Sequence, residues 1–154
     1  MSLSAQEFVA TTTQKVAADL EEAFLRIPVE KRNWVPQGES RTAIDQLAEI
    51  AMLNGSTADL IRTKTFAADF DMKQYIAAKT QLTQNPDAVL ALFHENTPKV
   101  VAAIREVADA DLNIAVPMPW GTMTLTQIIG YPLWNMSYHE GQINYIASML
   151  GCLD

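Results

Sequence analysis

Helix-start signals recur along this 154-residue chain, while strand signals are nearly absent. Ser4 is followed three residues later by Glu7, the spacing of a capping box, and Phe8, Leu20, Phe24 and Ile27 continue at helical intervals. This predicts a first helix from Ser4 to Leu25, closed before Pro28. Thr42 with Asp45 opens a second, carried by Ile44, Leu47, Ala51, Leu53 and Leu60. Asn85-Pro86-Asp87 opens a third: a capping amide, a proline at the first helical position and an acid in the first turn. Val89, Phe93, Val100, Ile104 and Val107 follow, and Pro98 predicts a kink or break near His94 to Thr97. Thr124 with Gln127 opens the fourth, which runs to Leu150, bends at Pro132 and stops before Gly151. A shorter piece, Met72 to Thr83, lies in the link between the second and third. Four long amphipathic helices joined by Pro- and Gly-bearing connections predict an all-α four-helix bundle, one domain over residues 1–154.

Composition narrows the partners. Hydrophobic residues make up 49% and charged residues 19%, enough to build a core. The net charge of −7 argues against nucleic acid, because no Lys/Arg stripe is available to displace counterions from phosphates. No apolar run approaches the ~20 residues needed to span a bilayer. Cys152 is the single cysteine, so no intrachain disulfide can form, which fits a reducing compartment. Its place near a helix C-terminus disfavours the thiolate. The first residues carry neither a basic nor an apolar leader segment, and a cytoplasmic location is expected.

Ligand atoms concentrate in Asn135-Met-Ser-Tyr-His139-Glu-Gly-Gln142 of the fourth helix. Asn135, His139 and Gln142, four and three residues apart, stack on one face. Such a face inside a bundle can hold a metal, but a single histidine in an apolar helix is more often hydrogen-bonded. Glu49 stands among Leu47, Ala48, Ile50, Ala51, Met52 and Leu53. A buried carboxylate there needs a partner or a metal. If Ile44, Leu47, Ala51 and Ala58 face the core, Glu49 points outward with Asp45 and Ser56; if Leu53 and Leu60 do, it points inward. His94, beside Glu95 and Asn96, reads as a solvated residue, and Trp34, Trp120 and Trp134 as core or loop anchors. No phosphate loop, Ser-His-Asp order or Cys-x-x-Cys pair is present.

Tyr138-His-Glu-Gly-Gln-Ile143 closing a bundle of this length resembles the end of DinB-like proteins, whose family pattern is His-x-x-x-His followed by Gly-Gln-Ile. Thr42-Ala-Ile-Asp-Gln-Leu-Ala-Glu49 is similar to that family's second helix, where a histidine follows a Leu-Ala pair. Pro119-Trp-Gly121 before Thr124 suits the loop entering the last helix. The resemblance implies a four-helix bundle with long crossover connections, a homodimeric habit to which apolar content around the second helix adds, and a divalent metal on three histidines. Only His139 matches those ligands. Asn135 and Glu49 stand where the other two histidines belong, and that register turns Glu49 inward.

Glu, Asn and His form a harder and weaker set for zinc or nickel than three imidazoles. Two expectations follow. The first is an altered site taking nickel, zinc or manganese on His139, Glu49 and Asn135, with Gln142 and Tyr138 orienting a cofactor or substrate. That chain would be a metal-dependent, thiol-using transferase or isomerase of small molecules. The second is a lapsed site without metal, in which the three side chains hydrogen-bond one another and protonated His139 pairs with Glu49. That chain would be a non-catalytic bundle binding a small ligand or a protein partner.

Overall fold

The computed structural model describes residues 3–153. Its elements are α1 (Ala5–Arg26), α2 (Ala43–Thr63), α3 (Met72–Leu82), α4 (Pro86–Arg105), β1 (Ala115–Met118), β2 (Gly121–Thr124) and α5 (Leu125–Met149). All four expected long-helix starts are capped by the named side chains: Ser4, Thr42, Asn85 and Thr124 each accept from a backbone N–H three residues on. Thr124 and Gln127 close a reciprocal capping box.

Around the bundle α2 neighbours α4, α4 neighbours α1, α1 neighbours α5, and α5 returns to α2. Sequential α1 and α2 therefore occupy opposite corners, as do α4 and α5. The connections 27–42 and 106–124 cross the ends of the bundle, which gives the long crossovers expected. α3 lies outside this square and packs on α2 and α4.

Two expectations are corrected. α4 is continuous through Pro98, so of the kink or break expected near His94 to Thr97 the break is not found. Pro98 forfeits one helical N–H, but Asn96, Thr97, Val100 and Val101 around it are buried, and that packing holds the segment helical. The connection before α5 is not strand-free: β1 and β2 pair antiparallel, with Ala115 opposite Thr124 and Met118 opposite Gly121. The two-residue turn needs a positive φ at its exit, and Gly121 supplies it at 134°.

Leu20, Phe24, Ile44, Leu47, Phe93, Met136 and Ile143 fill one half of the core; Ile61, Val100, Ile104, Leu125, Ile128 and Ile129 fill the other. Between them Asn54 Nδ2 donates to Thr97 Oγ1 at 3.2 Å. At Gly55 the α2 backbone meets α4 so closely that an added Cβ would stand 2.6 Å from Asn96 Nδ2. α2 spends Ile44, Leu47, Ile50, Ala51, Ala58 and Ile61 inside the fold, so its apolar content is accounted for without a partner. Among the described residues no helix is long and apolar enough to cross a membrane.

Candidate functional site

α5 carries His139 into the interface with α2, where the ring is 2% exposed. Each ring nitrogen already has a protein partner. Nδ1 lies 2.8 Å from Gln142 Oε1, one turn along the same helix, and 3.1 Å from Gln46 Oε1 on α2. Nε2 lies 3.1 Å from Glu49 Oε1. With oxygens facing both nitrogens, the arrangement suits a ring that carries both N–H groups, Nε2–H donating to the carboxylate.

The other oxygen of Glu49 accepts from Arg41 Nη2 at 2.8 Å, and Lys79 Nζ stands 3.8 Å away. Arg41 and Lys79 also hold Asp45 from either side, Lys79 at 2.8 Å. Asp45 and Glu49, four residues apart, lie along one edge of α2, and Arg41, just before the Thr42 cap, reaches both. α3 then covers that edge, and the Lys79 side chain is only 14% exposed. Neither simple register of α2 is found. Ile44, Leu47, Ala51 and Ala58 do face the core, yet Glu49 is roofed by α3 and Arg41 and reaches His139 from the flank.

These contacts set the charges. The His139 hydrogen bond, with Arg41 beside it, outweighs burial and brings the Glu49 carboxyl down to about 2. Burial raises Asp45, but Lys79 and Arg41 more than offset it and leave the carboxyl below its ordinary value. Burial, then nearby Glu49, pushes Tyr75 on α3 up to about 12, and the same two causes raise Tyr131 on α5. Both phenols are therefore neutral near Glu49. The Tyr75 hydroxyl is buried with no hydrogen-bond partner among the described residues.

The other expected site residues divide. Gln142 bonds His139, as its spacing suggested. Tyr138 sets its ring edge-on to His139, with centroids 5.2 Å apart, but is 53% exposed and stacks on Trp134. Asn135 is buried one turn before His139, and no hydrogen bond joins it to His139 or Glu49. Gln46, Arg41 and Lys79 are additional members. Gln46 and Arg41 had a sequence signal, one turn and two turns before Glu49. Lys79 had none, because it depends on where α3 lands. Trp120 and Trp134, expected as anchors, are 66% and 60% exposed; Trp34 does pack on the core. His94 pairs with Glu21 of α1 at 2.7 Å on the surface.

This donor set is a poor fit to a divalent metal. A cation at Nε2 needs that nitrogen's lone pair, which is not available while Nε2–H donates to Glu49 Oε1, 3.1 Å away. It also needs an electron-rich carboxylate, and Glu49 already faces Arg41 and Lys79. Among the described residues no cluster of three His, Cys, Asp or Glu side chains could hold a metal. A surface hollow of about 430 Å³, lined by Phe66, Phe70, Met72, Pro117, Met118 and Pro119, lies between the α2–α3 link and the hairpin. It is open and shares no residue with the His139 cluster.

The sequence model of the DinB superfamily matches residues 12–143. The chain belongs to the DinB superfamily. Its fold is similar to that of YfiT from Bacillus subtilis, described as a probable metal-dependent hydrolase with an unusual four-helix bundle topology. That match has a TM-score of 0.80 at 18% identity and covers 97% of this chain and 91% of YfiT. The DinB-like protein YjoA from Bacillus subtilis is similar at TM-score 0.69 and 14% identity, over 93% of this chain and 92% of that one. At such identities these likenesses establish the fold. No curated protein matches the sequence.

Proposed function

We propose that this DinB superfamily bundle has exchanged a metal centre for an internal hydrogen-bonded ion pair, and that it acts as a metal-independent binding module. The observation that carries this reading is the double engagement of His139, whose two nitrogens face Glu49 on one side and Gln46 and Gln142 on the other. Arg41 and Lys79 supply the positive charge that a cation would otherwise bring to Glu49. Binding, as a small ligand or a protein partner, would use surfaces around the cluster.

A second reading has one support, the description of YfiT as a probable metal-dependent hydrolase. On that reading a divalent ion would displace the hydrogen bonds of His139 and Glu49. Hydrolysis would then be the analogy to follow; thiol-dependent transfer or isomerisation gains nothing from the comparisons.

The test is elemental analysis of untagged protein, followed by thermal melts with added Mn²⁺, Ni²⁺ and Zn²⁺. A ligand of the native state alone raises the midpoint with its concentration. The expected result is far less than one metal per chain and no saturable rise. Near-stoichiometric metal, lost in Glu49→Ala and His139→Ala, would favour the second reading.

A further inference from the structure

We infer that the hollow between the α2–α3 link and the hairpin binds a small molecule by its trimethylammonium group, through cation–π contacts and flanking acids. This gives a ligand class to the binding reading above. The hollow shares no residue with the His139 cluster, so metal found at His139 would leave the assignment standing.

The volume of about 430 Å³ lies in the range of small-molecule sites, roughly 300–1,000 Å³. No lining side chain is charged or polar. An anion or a hydroxylated ligand would therefore give up water without a side chain to replace it. A quaternary ammonium has no N–H to satisfy and presents only methyl groups, so these walls cost it no hydrogen bond. Pro117 removes an N–H from β1, the strand that borders the hollow, which disfavours a peptide adding as a third strand.

Phe66 and Phe70 line the hollow and Trp120 stands beside them. The Phe66 ring lies 5.4 Å from Phe70 and 5.5 Å from Trp120, centroid to centroid, with planes at 67° and 80°. Rings so nearly perpendicular make a corner, where one cation can meet more than one ring face. Phe70 and Trp120 are 43% and 66% exposed, which leaves their faces open to a ligand. Met72 and Met118 add polarisable thioethers to the same walls.

Charge complements the rings. The two segments that build the hollow, 65–72 and 113–124, contain Asp69 and Asp71 and no Lys or Arg. Lys64, just before the first, is taken by Asp111 at 2.6 Å. Lys73, just after it, leaves two acids against one base. The positive end of α3 is answered within the chain, because Asp71 accepts from the N–H groups of Lys73 and Gln74. Asp69 is exposed, and the net charge of −7 favours the approach of a cation.

The experiment is a proton–nitrogen NMR titration of the full chain, following the Trp120 indole and the amides around the hollow. The probes are choline, its neutral isostere 3,3-dimethylbutan-1-ol, and ethanolamine, a cation without the methyl hull. Choline is expected to bind saturably in the low-millimolar range, at least about 5-fold more tightly than either other probe. Phe66→Leu and Phe70→Leu keep an apolar wall but remove a ring face. Each is expected to weaken choline about 2–5-fold and leave the neutral probe unmoved. Circular dichroism checks folding, and the exposure of Phe70 lets its variant test the rings even where Phe66→Leu unfolds. No saturable choline shift by about 50 mM would overturn the assignment. Equal binding of the neutral isostere would overturn it by reducing the hollow to an apolar patch. Equal binding of ethanolamine, or choline binding untouched by Phe70→Leu, would overturn it by leaving recognition to the acids alone.

Discussion

Glu49 of α2 and His139 of α5 face each other at 3.1 Å, and each uses its remaining polar atoms on other protein groups: Arg41 for the carboxylate, Gln46 and Gln142 for the ring. The pair links two helices that are distant in sequence and adjacent in the bundle.

Removing that imidazole leaves Glu49, Gln46 and Gln142 without their common donor and opens a void beneath α3. Breaking a buried ion pair from one side costs about 3–5 kcal/mol, and incomplete burial of Glu49 puts the loss at the lower end. His139→Ala should therefore lower the melting midpoint by roughly 6–12 °C for a chain of this size. A calorimetric change under about 2 °C would show that the cluster does not hold the helices.

The Glu49 carboxyl has a pKa of about 2 in the fold against an ordinary 4.5, so the unfolded chain binds its proton more readily and acid favours unfolding. The stabilisation is complete above about 4.5 and disappears as the pH falls towards 2. Asp45, also held low, contributes in the same direction. Urea midpoints measured from pH 6 to pH 3 should decline, and Glu49→Gln, less stable at pH 6, should show a shallower decline. Parallel curves for the two proteins would contradict the assignment.

If the metal site lapsed through substitution at two positions, reversing both should restore affinity. Glu49→His with Asn135→His recreates the three-histidine pattern that the family resemblance implies. The double variant should gain a saturable rise in melting midpoint with Zn²⁺ or Ni²⁺ that the wild type lacks. Absence of any gain would mean that the helix spacing no longer admits a metal.

Two glycines should respond oppositely to alanine. At Gly55 a methyl would stand 2.6 Å from Asn96 Nδ2, and that amide is tied to Ala51 O at 2.9 Å. Gly55→Ala should therefore destabilise by about 1–2 kcal/mol despite better helix propensity. Gly130 has open space around it, so Gly130→Ala should stabilise by about 0.5–1 kcal/mol. Denaturant melts that rank the two variants the other way would refute the packing.

The helical frame was legible because its starts are written locally: Ser4, Thr42, Asn85 and Thr124 each announce a cap within four residues. The hairpin at 115–124 was not, since strands of four residues, one containing Pro117, carry too little alternation. Pro98 does not break α4 because its effect is local while the α2–α4 contact that overrides it is not. At the site, the burial of His139 and the special position of Glu49 could be seen in their apolar surroundings, and the family resemblance turned Glu49 inward. Lys79 required knowing where α3 lands. Asn135 shared the right face, but a face does not specify a partner, and His139 bonds elsewhere.

The most direct test of the central claim is a long-range proton–nitrogen NMR spectrum of the histidine rings titrated with Zn²⁺, recorded in a His94→Gln background so that His139 alone reports. Internal bonding of both nitrogens predicts Nδ1 and Nε2 signals unmoved beyond two equivalents of zinc. A shift of the Nε2 signal that saturates at one equivalent would contradict the account and return His139 and Glu49 to the role of metal ligands.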